Sequence, residues 1–127
     1  MTKFTPYGAT AGRVLLALIF VAAGYSKIGG YDGTVAFMAK FGVPGILLPL
    51  VIITELGGGL ALIVGWQTRI AAFLLAGFTL ISAIIFHTDF TNYVQYLFFM
   101  KNLAIAGGLL ALVAHGPGPL ALDTRAR

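Results

Sequence analysis

Thr54-Glu55-Leu56-Gly57-Gly58-Gly59-Leu60-Ala61-Leu62-Ile63-Val64-Gly65 places one carboxylate in the middle of an apolar segment. The runs on either side, 41–54 and 56–68, contain no charged residue, so Glu55 is expected to be surrounded by hydrocarbon and protein instead of water. A carboxylate in such a place needs a cationic or hydrogen-bonding partner. At a helical step of about 100° per residue, Gly58, Gly59 and Leu62 share its face. That face is therefore where another backbone can come close, and it should point into a bundle, away from lipid.

The totals agree with a membrane location. The 127 residues are 59% apolar and 9% charged, against roughly 45–50% and 25% in soluble domains. Mean hydropathy is +0.97. The length suits one integral membrane domain, because a water-soluble fold of this composition could not cover its core with polar surface. No cysteine is present, which excludes disulfides, thiolate metal sites, Cys-ligated iron–sulfur clusters and thiol redox chemistry. The net charge of +4 comes from basic residues scattered along the chain in no long run, a pattern that sets membrane topology and does not suit nucleic acid.

Four apolar stretches, 9–28, 45–65, 70–87 and 96–115, are each near the roughly 20 residues needed to cross a hydrocarbon core. Lys3 and Arg13 ahead of an apolar run that ends Val21-Ala22-Ala23-Gly24 also fit a secretory signal; Lys27 and the later spans favour a first membrane helix. On that helix Arg13, Phe20, Gly24 and Lys27 form a narrow stripe with a charge at each end. Gly8 and Gly12 add a GxxxG pattern. Between the first two spans, Gly29-Gly30 is a stop, Asp32 is placed as an N-cap and Gly42 with Pro44 is a second stop. Val35, Met38, Ala39 and Phe41 recur between them at about helical spacing, which fits a short interfacial helix or a loop buried on the bundle. His87 and Asp89 mark the end of span three, and Phe90, Tyr93 and Tyr96 in the connection to span four form an aromatic belt.

The expected fold is an all-α, four-helix membrane bundle. Four spans put both termini on one side. Lys3, Arg13, Arg69, Arg125 and Arg127 lie on that side and Lys27, Lys40 and Lys101 on the other, so the positive-inside rule places the N- and C-termini in the cytoplasm.

Buried ionisable groups cost roughly 2.5–3.5 kcal/mol each on insertion scales, so Glu55 is expected to pair with Lys27 or Lys101. Two readings of that seam follow. In one it is structural and fixes helix register. In the other the lysines and His87 attract an anionic or quinone-like ligand while Glu55 accepts or relays a proton. A single His at a span end such as His87 is more often an interfacial side chain than a ligand, and His115 lies at the opposite end of the bundle, so the two cannot ligate one haem. No metal-ligand spacing, P-loop, dinucleotide fingerprint or hydrolase motif is present.

At these residues the sequence resembles the DoxX family of small bacterial membrane proteins. The resemblance rests on Gly12-Arg13 followed by Gly24, Ser26 and Lys27, then Gly42-Val43-Pro44, Glu55-Leu56-Gly57-Gly58, Thr68-Arg69 and His87. It ends in Lys101-Asn102-Leu103 with Gly107-Gly108, and so covers nearly the whole chain. It implies a four-helix protein of the bacterial inner membrane linked to oxidoreductase systems. One branch looks like a membrane subunit of thiosulfate:quinone oxidoreductase, and another is associated with redox complexes or with detoxification of quinone-like compounds. The absence of cysteine argues against covalent sulfur transfer on this chain.

The candidate ligand-binding residues are Glu55, Lys27, Lys101, Asn102 and His87. Quinone is the cofactor they would suit, although no cofactor motif is visible; the other participants would be the bilayer and a partner redox protein. The alternatives are a non-enzymatic accessory or assembly subunit, and a small transporter acting as a dimer, a homo-oligomer with the polar seam of Lys27, Glu55 and Lys101 lining its path.

Overall fold

The computed structural model describes residues 5–125. Lys3 and Arg127, two of the residues used for the topology expectation, lie outside them. Helix α1 (Thr5–Gly29) is followed by the short α2 (Tyr31–Lys40). Next come α3 (Gly45–Val64), α4 (Thr68–Phe86) and α5 (Tyr93–His115), then a single turn, α6 (Leu122–Arg125). Stretches within α1, α3, α4 and α5 are long and apolar enough to cross a membrane, and each expected span falls on one of them. The protein is a four-helix membrane bundle.

The helices form two closely packed pairs, α1 with α3 and α4 with α5, joined mainly along α3 and α4. Their shared core combines Ala17, Ala71, Ala72 and Ala76 with Phe20, Leu62, Leu75, Leu109 and Leu112. Lipid is as apolar as these side chains, so close fit and not hydrophobic burial holds membrane helices together, and alanine and glycine make that fit available. Gly24 lets the backbone of α3 approach α1, since a Cβ there would stand 3.0 Å from the Leu56 nitrogen. Leu15, Leu18, Phe73, Leu74, Ile81 and Ile84 cover outward faces. Gly8 and Gly12 have no neighbour that a Cβ would meet, so their GxxxG makes no helix contact within the chain.

The connection between the first two spans is helical. Asp32, expected as its N-cap, lies inside the first turn; Gly30 holds the cap position without a side-chain bond. α2 buries Met38 and sets Val35 over Gly45 at the start of α3. Phe37 and Phe41 meet Phe86 at the end of α4, with ring centroids 5.4 and 5.0 Å apart. α2 therefore covers the end of the bundle where α1 and α4 finish. At the same end Asn92 caps α5, its side chain accepting from the backbone of Val94 and Gln95.

Candidate functional site

Glu55 falls within a π-helical turn, Ile53–Gly57, that interrupts α3. Within this turn the Thr54 hydroxyl donates to the Leu50 carbonyl at 2.8 Å. Gly57, Gly58 and Gly59 follow, with no side chains to crowd it. π turns are rare and concentrate at functional sites. The turn directs the Glu55 carboxylate inward, where the residue is 5% exposed.

Lys27 meets it there. Its Nζ lies 2.7 Å from Glu55 Oε1. Lys27 stands in the last turn of α1, where the helix dipole favours a cation. The Gly24–Leu56 approach one turn earlier brings the two backbones close enough for the ammonium to reach. The lysine side chain remains 28% exposed while the glutamate is 6% exposed, so the pair has one buried and one accessible member. This is the pairing expected for Glu55, with Lys27 as the partner.

Lys101 does not join it. Its side chain is exposed, with Nζ 4.8 Å from the centroid of the Phe98 ring. Asn102 turns inward and donates to the Thr79 carbonyl at 3.3 Å, tying α5 to α4. It stands about 14 Å into α5, comparable with the depth of about 15 Å at which Glu55 stands in α3. His87 Nδ1 is 2.8 Å from Gln95 Oε1, and its ring meets Phe98 edge-on. Of the five candidates, the structure thus brings together Lys27 and Glu55, across α1 and α3, while Lys101, Asn102 and His87 each have a separate partner.

A second polar centre, at the opposite end, was not among the candidates. Arg13 is 1% exposed and donates to the carbonyls of Pro117 at 2.6 Å, Leu120 at 3.0 Å and Ile63 at 3.4 Å. The acceptors lie chiefly in 116–121, a strap that folds back after α5 and is held also by a Thr10 bond to Pro119. Leu120 adopts a left-handed φ of 58°, unusual for leucine, and its carbonyl is one of those that Arg13 holds. Beyond the strap, Asp123 accepts from the backbone N–H groups of Gln67 and Thr68, both at 2.8 Å, and so caps α4 from 55 residues away. Asp123→Ala should cost about 1 kcal/mol of stability by leaving two helix donors without that acceptor. Thermal melting in detergent with hydrogen exchange at residues 67–70 tests this, and unchanged exchange there would contradict it.

Arg13 and Arg69 stand near the starts of α1 and α4 in different surroundings, Arg13 buried and Arg69 exposed. The sequence signal for the Arg13 centre was Gly116-Pro117-Gly118-Pro119, a segment whose prolines and glycines leave carbonyls without helical partners.

Comparison with known proteins adds the lineage. The DoxX family model matches residues 8–88. The chain belongs to the DoxX family. This DoxX protein is 48% identical over 123 residues to inner membrane protein YqjF of Escherichia coli (strain K12), covering 97% of this chain and 95% of that one. Inner membrane protein YphA of the same organism is 37% identical over 120 residues, 89% and 86% of the two chains. CatD of Bacillus subtilis (strain 168), named as a candidate oxidoreductase, is 38% identical over 85 residues, 67% of this DoxX chain and 63% of CatD. No solved structure matches.

Proposed function

We propose that this protein is a redox-associated subunit of the bacterial inner membrane that binds quinone, or a small anionic substrate, beside the Lys27–Glu55 pair. The observation that carries the reading is the buried Glu55 in a π turn against a lysine that is partly exposed. Lys27 can donate a hydrogen bond to a quinone carbonyl or to an anion from its accessible side. Glu55 can then take or return the proton that quinone reduction and oxidation require. Asn102 and His87 stand apart from the pair, bonded to the Thr79 carbonyl and to Gln95, and Lys101 adds charge near the same end. Electrons pass to or from a partner redox protein. The name of CatD and the inner-membrane names of YqjF and YphA support the assignment. In this reading both termini face the cytoplasm.

Extraction of the purified protein followed by mass spectrometry tests the proposal, with Glu55→Gln prepared alongside. Quinone should accompany the wild type and be lost from a folded Glu55→Gln protein, falling by about tenfold for the loss of one charge-assisted interaction. Quinone retained by the variant, or absent from the wild type, would sink the assignment of quinone to this pair.

The second reading is an accessory or assembly subunit in which the pair locks helix register. Backbone-distance packing in the turns next to the pair favours it: Gly24 lies against Leu56, and Gly59 against Ala17 and Val21. Under this reading Glu55→Gln lowers the melting temperature and changes no ligand.

A further inference from the structure

The end of the bundle that carries Arg13 also has a cleft of about 180 Å³, lined by Arg69, His115, Gly116, Pro117, Gly118, Asp123 and Thr124. This is smaller than the roughly 300 Å³ at which pockets for drug-sized molecules begin, so it suits one compact polar group. We propose that the cleft binds a phosphate group, and that the source is the headgroup of an anionic phospholipid.

Four observations lead there. First, Arg69 is the second residue of α4 and His115 the last of α5, so both stand where a membrane span ends and headgroups begin. Second, none of the described residues accepts a hydrogen bond from the Arg69 guanidinium, which offers five donors in a planar fork suited to phosphate oxygens. It lies over Gly116, where a Cβ would stand 3.1 Å from Nη2, so the glycine leaves it room there. Third, the local charge favours an anion. Asp123 is the carboxylate in the lining, and its two oxygens already accept from the Gln67 and Thr68 N–H groups. Arg13 stands behind it, within electrostatic reach. Among the described residues, the cleft thus has Arg69 in its lining and a second arginine within electrostatic reach of its one carboxylate, even when His115 is neutral. Fourth, Trp66, Leu120 and Leu122 are 56%, 71% and 46% exposed at this end. A tryptophan and two leucines beside a basic cleft match the headgroup boundary, where rings and aliphatic tips enter the acyl region.

The test uses the full chain in nanodiscs of phosphatidylcholine with a minority of phosphatidylglycerol, followed by native mass spectrometry of the lipids that remain bound. Wild type should enrich phosphatidylglycerol, and Arg69→Gln should reduce that enrichment about fivefold, as expected for one arginine near a charged surface. His115→Gln should give a smaller drop, and Lys101→Gln, at the other end, none. Equal enrichment in wild type and Arg69→Gln, or none in wild type, overturns the proposal. A separate arm titrates inorganic phosphate against lipid-free protein in detergent while following thermal melting. Stabilisation that needs Arg69, in a protein that shows no phosphatidylglycerol preference, assigns the cleft to soluble phosphate and overturns the lipid source. Because quinone is measured independently, these outcomes leave the Lys27–Glu55 reading to stand or fall separately.

Discussion

Arg13→Ala is expected to be the most damaging single substitution in the chain, lowering stability by about 3 kcal/mol or more. The side chain is 1% exposed and makes bonds of 2.6 and 3.0 Å to the Pro117 and Leu120 carbonyls. Hydrogen bonds to a charged group contribute about 1.5–3 kcal/mol each. The substitution also strands those carbonyls and leaves a void that the strap cannot fill without moving. Once Leu120 loses the contact that holds its left-handed backbone, residues 116–125 should release from the bundle. Thermal melting in detergent gives the magnitude, and hydrogen exchange over 116–125 locates the change. Arg13→Lys keeps a charge but presents one point of contact in place of a fork, and should fall between wild type and alanine. A melting temperature and strap protection unchanged in Arg13→Ala would show that the network contributes nothing.

A pair of glycine substitutions gives the second large effect, and its value lies in the contrast. A Cβ at Gly59 would stand 2.8 Å from Val21 Cγ2, 3.1 Å from the Val21 nitrogen and 3.2 Å from the Ala17 carbonyl oxygen. The last two are backbone atoms and cannot rotate aside. Gly59→Ala must push α1 from α3, at a cost of about 1–3 kcal/mol for overpacking. Because Lys27 and Glu55 come from the same two helices, the movement should also loosen their ion pair and reduce any quinone that accompanies the protein. Gly107 has no heavy atom within 4 Å of its Cβ position. Gly107→Ala should therefore leave the melting temperature unchanged or raise it, since glycine is costly inside a helix. Equal effects at the two sites would refute the packing argument.

These glycines show how far reading the sequence can go. Gly58-Gly59-Leu60 and Gly107-Gly108-Leu109 look alike as strings, and nothing local distinguishes a glycine against a neighbouring backbone from one that faces outward. Glu55 was identifiable because an isolated carboxylate in an apolar run must find a partner wherever it lies. Arg13 was harder: an arginine near the start of a span reads equally well as a topological charge, and its acceptors lie 50 to 107 residues away in the sequence.

The membrane class, the four spans, the family and the need of Glu55 for a cation could all be read from the residues alone, because composition, run length and the cost of burying charge are local properties. The tertiary structure decided which cation answered, selecting Lys27 over Lys101 through the close approach that Gly24 permits between α1 and α3. It also decided that Asp123 would cap α4 and that Arg69 and His115 would share a cleft. Those pairings join residues tens of positions apart, and only the packing of the helices and the return of the strap bring them within bonding distance.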